Sequence, residues 1–86
     1  MATPTVVACT ADTWTLIASN VRAGIVEILT LQNRYLVTYR DTGEAAPTAD
    51  TDAMIVPTTQ FQIKHSELID VYIKSLDVAG SVRVSL

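Results

Sequence analysis

Short runs of β-branched and aromatic residues recur along the whole chain, and they constrain the fold more than any other feature of the sequence. "TVVAC" (5–9) is rich in branched side chains, and "TWTLIA" (13–18) alternates Thr13, Thr15 and Ile17 with Trp14 and Leu16. "IVEILTLQ" (25–32), interrupted only by Glu27, has the near-continuous apolar character of a central strand. "YLVTYR" (35–40) puts Tyr35, Val37 and Tyr39 on one face and Leu36, Thr38 and Arg40 on the other. "MIV" (54–56) stops at Pro57, while "QFQIK" (60–64) and "SVRVSL" (81–86) alternate cleanly.

The connections suit strands as well. Asn33-Arg34 separates two strong runs by two residues, as a tight hairpin would, and asparagine tolerates positive φ. "DTGEAAPTADTDA" (41–53) has no periodicity, holds four acids, and is expected to be the one long loop. Pro4, Pro47 and Pro57 all fall outside the strand-like runs. "TADT" occurs at 10–13 and again at 48–51, but no longer repeat stands behind it, so two similar turns explain it better than duplication.

One stretch fits two structures. In "SELIDVYIKSLDVAGS" (66–81), Leu68, Ile69, Tyr72, Ile73 and Leu76 share a helical face, with Ser66 placed as a cap and Gly80 near the end. Ile69, Val71 and Ile73 equally line one face of a strand. The dense block Ile69, Val71, Tyr72, Ile73 costs helix propensity, and every other strong segment favours extended structure, so 69–75 is expected to be a strand. The fold class expected is all-β: a small antiparallel sandwich or barrel of seven to eight short strands, jelly-roll-like, with little or no helix.

At 86 residues the chain has room for one β domain, 1–86, with a possible N-terminal arm at 1–10. It is 49% hydrophobic and 17% charged, against about 25% charged in typical soluble domains. So many apolar side chains on so short a chain leave apolar surface outside, which points to an assembling protein; a sticky monomer is the plainer alternative. The net charge of −3 falls entirely in residues 44–86. No basic run exists to neutralise phosphates, so nucleic acid is not an expected partner, and nothing resembles a basic amphipathic helix for a membrane surface. No apolar run approaches the roughly 18 residues of a membrane helix. The first basic residue is Arg22, so the start lacks the charged region of a signal peptide, and a cytoplasm-like place of synthesis is expected.

Parts for catalysis are few. His65 is the only histidine, and its neighbours Ser66 and Glu67 are too close in sequence to form a triad with it. His65 and Cys9 alone make no zinc site, and Cys9, the only cysteine, has no partner within the chain for a disulfide. Asp41, Glu44, Asp50 and Asp52 lack the regular spacing and terminal Glu of a helix-loop-helix calcium site. The glycines are too far apart for a phosphate loop. Trp14, Tyr35, Phe61, Tyr39 and Tyr72 are enough to fill one small core, with Trp14, Phe61 and at least one tyrosine inside; exposed, Trp14 or Tyr72 would instead serve sugar stacking. No catalytic residue, cofactor, metal site or small-molecule substrate is expected.

The order of motifs carries a resemblance. "TADTWTLIA" leads to an apolar run ending in "LQN", then "YLVTYRDTGEAAPTADT", a short run ending at Pro57, "VYIKS" and a closing "AGSVRVSL". This order resembles small β-sandwich proteins encoded among the structural genes of tailed bacteriophages; where they often carry glycine after the proline, this chain has Thr58. The resemblance implies a virion protein, foremost a head decoration (cement) protein on the capsid exterior, made in the bacterial host cytoplasm. It implies the major capsid protein and copies of itself as partners, a trimer being the preferred oligomer. A tail, neck or fibre-base component is the structural alternative, and a glycan-binding module for host attachment comes from a different class. Contacts with partners are expected at Thr3, Pro4, Thr5, Val6 and Val7 and at exposed strand edges.

Overall fold

The computed structural model describes residues 4–30, 34–45, 47–48, 53–56, 59–76 and 78–85. Among them the protein is all-β and contains no helix. Six strands, β1 (Thr5–Cys9), β2 (Thr15–Ile28), β3 (Tyr35–Asp41), β4 (Met54–Ile55), β5 (Gln60–Ser75) and β6 (Gly80–Ser85), form one antiparallel sheet in the order β1-β6-β2-β5-β3-β4. The ambiguous 69–75 segment is the C-terminal half of β5 and lies at the middle of the sheet.

Seven to eight short strands were expected, and six are found because two of them are long. β2 runs through the polar interval between "TWTLIA" and "IVEILTLQ", and β5 runs through "HSEL" between "QFQIK" and "IDVYIKS". Both intervals lie at the same level of the β2–β5 ladder. From Ala23↔Lys64 to Glu27↔Gln60 the register is unbroken, whereas shifts fall between Leu16 and Ala18, Ala18 and Val21, and Val21 and Ala23. His65, Ser66, Glu67 and Leu68 are exposed there, and Asn20 takes the left-handed conformation with φ 59°. Extra residues on both strands let the chain keep its direction while changing which residues face inward. A polar gap in the apolar pattern is therefore a bulged stretch of strand and not a turn.

The two strands on either side of Asn33-Arg34, β2 and β3, are not paired with each other, as the expected hairpin would require. β5 lies between β2 and β3, and both edges of β2 are taken, one by β5 and the other by β6. Residues 31–33 themselves lie outside the described residues. The apolar run at 25–32 does supply a central strand, since β2 has neighbours on both sides.

Alternation places the core. Val26 and Ile28 of β2, Val82 and Val84 of β6, Ile63, Ile69, Val71 and Ile73 of β5, and Tyr35 and Val37 of β3 form one buried cluster with Cys9, Ile17 and Ala18. Each fully buried Ile or Val contributes about 1.5–3 kcal/mol of transfer free energy. The cluster draws on β1, β6, β2, β5 and β3, while β4 contributes no buried side chain, and the edges of the sheet, β1 and β4, are not joined. One isolated parallel bridge, Ala11↔Ser75, brings the chain after β1 against the end of β5, where Ser75 Oγ donates to the Thr10 carbonyl at 3.2 Å.

The aromatic residues divide differently from expectation. Tyr35 belongs to the core, with Tyr39 and Phe61 packed against it, but Trp14 lies outside the cluster and Tyr72 is buried apart from it. Tyr72 stands opposite Thr38 and Leu16 in the register, on the other face of β5 from Val71 and Ile73. Close packing at the β6 start depends on a missing side chain. A Cβ on buried Gly80 would run into the Tyr35 hydroxyl, which donates to the Thr30 carbonyl at 3.0 Å.

Candidate functional site

Of the residues expected to bind partners, Thr5, Val6 and Val7 begin β1, an edge of the sheet. They pair with Val84, Arg83 and Val82 of β6 in unbroken register. Pro4 is exposed just before the strand, and Thr3 lies outside the described residues. Within the span 1–10, Thr5–Cys9 is thus part of the sheet. Val7 packs against the core while Val6 points outward, 59% exposed. The opposite edge, β4, also presents apolar side chains, Met54 at 56% and Ile55 at 67% exposure.

The most elaborate polar arrangement lies elsewhere, at the irregular level of the β2–β5 ladder. Asp70 is buried at 6% exposure. One carboxylate oxygen accepts the Asn20 backbone N–H and the Ser19 hydroxyl, both at 3.0 Å; the other accepts the Gly43 N–H at 3.5 Å, and the Thr42 side chain also donates to this carboxylate. The Asn20 N–H foremost, with the other three donors, holds the Asp70 pKa below the ordinary carboxylate value against the opposing effect of burial. Two of the donor residues, Asn20 and Gly43 (φ 92°), adopt left-handed backbone. The carboxylate therefore clamps the β2 bulge and the turn after β3 onto β5. Arg40 stands opposite Asp70 in the β3–β5 register, and its Nε is buried without an acceptor among the described residues. Sequence reading placed Asp70 on a strand face but missed the clamp. A lone acid inside an apolar block was the available signal.

A second polar group surrounds Trp14. The Lys74 ammonium sits 5.8 Å from the Trp14 ring centroid and 3.2 Å from the Asp12 carboxylate. The indole Nε1 is buried without an acceptor among the described residues. The ring is half-buried beneath a cation, which makes it a poor open platform for a sugar.

His65 is exposed on the β5 bulge. Its Nδ1 lies 3.2 Å from the Glu67 backbone nitrogen and 3.3 Å from the Glu67 carbonyl oxygen, so the ring is engaged only with its own bulge. Cys9 is 1% exposed, and burial raises its thiol pKa, so it is a weak nucleophile. It lines an open depression with Ala8, Thr10, Thr30, Ala79, Gly80 and Ser81, where no ionisable side chain other than the thiol is present. Among the described residues no three His, Cys, Asp or Glu side chains come together as a metal site. Asp41 and Glu44 are exposed, and Asp50 and Asp52 lie outside the described residues. No helix of the described residues is long and apolar enough to cross a membrane.

Comparison of the chain with family models, curated proteins and solved structures finds no match in any of the three.

Proposed function

We propose that the chain is a structural protein of a tailed-phage virion, a head decoration protein that binds the major capsid protein on the capsid exterior. The observation carrying this reading is apolar surface at both sheet edges, Val6 at 59% on β1 and Met54 and Ile55 at 56% and 67% on β4, on a chain only 17% charged. Such surface suits an assembly that covers it. The identity of the assembly is inferred from the resemblance of the motif order to that of phage structural proteins. The one antiparallel sheet with a single buried cluster is the all-β architecture on which a small sandwich of jelly-roll kind would be built. Decoration acts by mass action: a protein that binds only the assembled shell stabilises it, and many weak symmetric contacts suffice. The buried Tyr72 and the cation-covered Trp14 favour this reading over a glycan-binding module.

The test is co-sedimentation of the purified chain with emptied, expanded heads of the phage that encodes it. Saturable binding, with copy number following the capsid lattice, is expected. Recovery on isolated tails with none on heads would move the partner to the tail, neck or fibre base.

A further inference from the structure

The face of β3 and β5 turned away from the core is buried as well. Tyr72 is 9% and Thr38 6% exposed, and neither belongs to the core cluster. They stand opposite each other in the register, next on that face to the pair Arg40↔Asp70. Asp70 lies between the core residues Ile69 and Val71, so it shares this outer face, and the Arg40 Nε is buried here too. The chain after β3 reaches the same face. The Asp41 carbonyl accepts the Glu44 N–H at 3.0 Å, closing a turn in which Gly43 has φ 92°, and Thr42 and Gly43 donate to Asp70 of β5. Yet the chain rejoins the sheet at β4, on the far side of β3, with Met54 opposite Val37. Its short way back from Asp70 crosses the outer face of β3. Pro47, within that connection, is buried.

We propose that residues 42–45 and 47–48 form a strap, latched to Asp70, that covers Tyr72 and Thr38 and opens as a unit while the sheet stays folded. Among the described residues the strap's ties to β5 are the Thr42 hydroxyl and the Gly43 N–H, the latter at 3.5 Å. β3 and β5, by contrast, pair without interruption from Tyr35↔Ser75 to Asp41↔Ile69. Releasing two hydrogen bonds and lifting one proline is a smaller event than parting that ladder, so the opening is local. Asp70 keeps its Ser19 and Asn20 donors when the strap leaves, and the β2 bulge stays in place. The latch depends on glycine. A Cβ on Gly43 would meet nothing within 4 Å, but at φ 92° the backbone itself is strained for any L side chain. Closed, the strap withholds Tyr72 from a partner; open, it presents the ring beside Thr38. The device stands on the sheet and its connection alone and does not depend on the head-binding reading.

A glutamate-specific protease and tyrosine nitration by tetranitromethane test it together on the full chain. Glu44 lies in the strap, while Glu27 lies in β2 and Tyr35 in the core, 3% exposed. Gly43→Ala should speed cleavage at Glu44 about tenfold, as the strain of a left-handed non-glycine residue implies. Nitration of Tyr72 should quicken with it, while Glu27 stays uncut and Tyr35 unmodified. The wild type gives a second reading that needs no variant to fold. Once nicked at Glu44 it should keep its β-sheet circular dichroism spectrum, and its Tyr72 should become reactive ahead of Tyr35. Tyr72 as protected in Gly43→Ala as in the wild type, Tyr35 and Tyr72 reacting at one rate, or a nicked chain that unfolds or still shields Tyr72 would each overturn the proposal. Co-sedimentation with heads is read separately, so the decoration reading stands or falls on its own result.

Discussion

The two halves of the β2–β5 ladder are held by different physics. In one half, Ala23–Glu27 pairs with Gln60–Lys64 residue by residue, and inward Val26 and Ile63, both 0% exposed, alternate with outward Ile25, Glu27 and Gln62. In the other, three register shifts interrupt the pairing, and a buried carboxylate gathers four donors from two separate segments. The regular half needs only side-chain alternation to define it. The irregular half loses ladder hydrogen bonds at its bulges and recovers order through Asp70, whose polar contacts are specific in a way that apolar contacts are not.

The largest effects should come from cavities in the shared core. Ile63→Ala in the regular half and Ile69→Ala beside the bulge remove side chains 0% and 1% exposed. Each is expected to cost about 2–5 kcal/mol by urea unfolding, with Ile63→Ala the costlier, because a regular ladder collapses less readily into a cavity than a bulged one. Equal costs, or the reverse order, would show that the bulge is as rigid as the ladder beside it.

Next comes Asp70. Its four donors hold the folded pKa below the unfolded one, so the stability it contributes is fully present above the unfolded carboxylate value and is lost as pH falls through the folded value. Asp70→Asn should lower stability at neutral pH, and the gap between variant and wild type should close as pH drops through that window. Amide exchange should quicken at Asn20 and Gly43, the two backbone donors, while the Ala23–Glu27 amides keep their protection. A pH-independent gap would mean that the carboxylate matters for its shape and not its charge.

How much of this was legible follows the same division. The regular half was readable because alternation has a period of two and leaves its mark residue by residue; Val82 and Val84 face inward as the pattern predicts. The length of β2 and β5 was not readable, because a bulge and a turn both appear in sequence as a polar interval. Nor was the sheet order: local turn chemistry at Asn33-Arg34 suggested neighbours, while β5, distant in sequence, supplied the actual partner. The Asp70 clamp joins residues 50 and 51 positions apart, and no local pattern encodes that meeting. Likewise, the outward edge of β1 is visible only once β6 is known to occupy its other side.

A smaller effect tests packing where β6 begins. Gly80→Ala would drive a methyl into the Tyr35 hydroxyl and within 3.2 Å of Thr30 Cβ, for an expected loss of about 1–3 kcal/mol. Tyr35→Phe removes the obstructing oxygen together with its hydrogen bond to the Thr30 carbonyl. In that background Gly80→Ala should cost clearly less, a non-additivity that a double-mutant cycle measures directly. Additive costs would place the conflict with Thr30 and not with the tyrosine.

The smallest effect bears on whether charge contributes to the regular half at all. Glu27 faces Arg83 across the β2–β6 pair, with Oε1 3.8 Å from the guanidinium and both side chains about 40% exposed. An exposed pair at that separation is screened by solvent and salt, and holding two long side chains together costs entropy. Glu27→Gln keeps the size and the outward position, so it should change stability by less than about 1 kcal/mol, and the difference should vanish in molar salt. The contrast with Asp70 is then one of surroundings: the same carboxylate chemistry is nearly neutral to stability on an open strand face and decisive where backbone donors enclose it. A salt-insensitive loss at Glu27 as large as that of a cavity mutant would break this contrast, because it would mean that the outer face of the ladder is covered by something other than water.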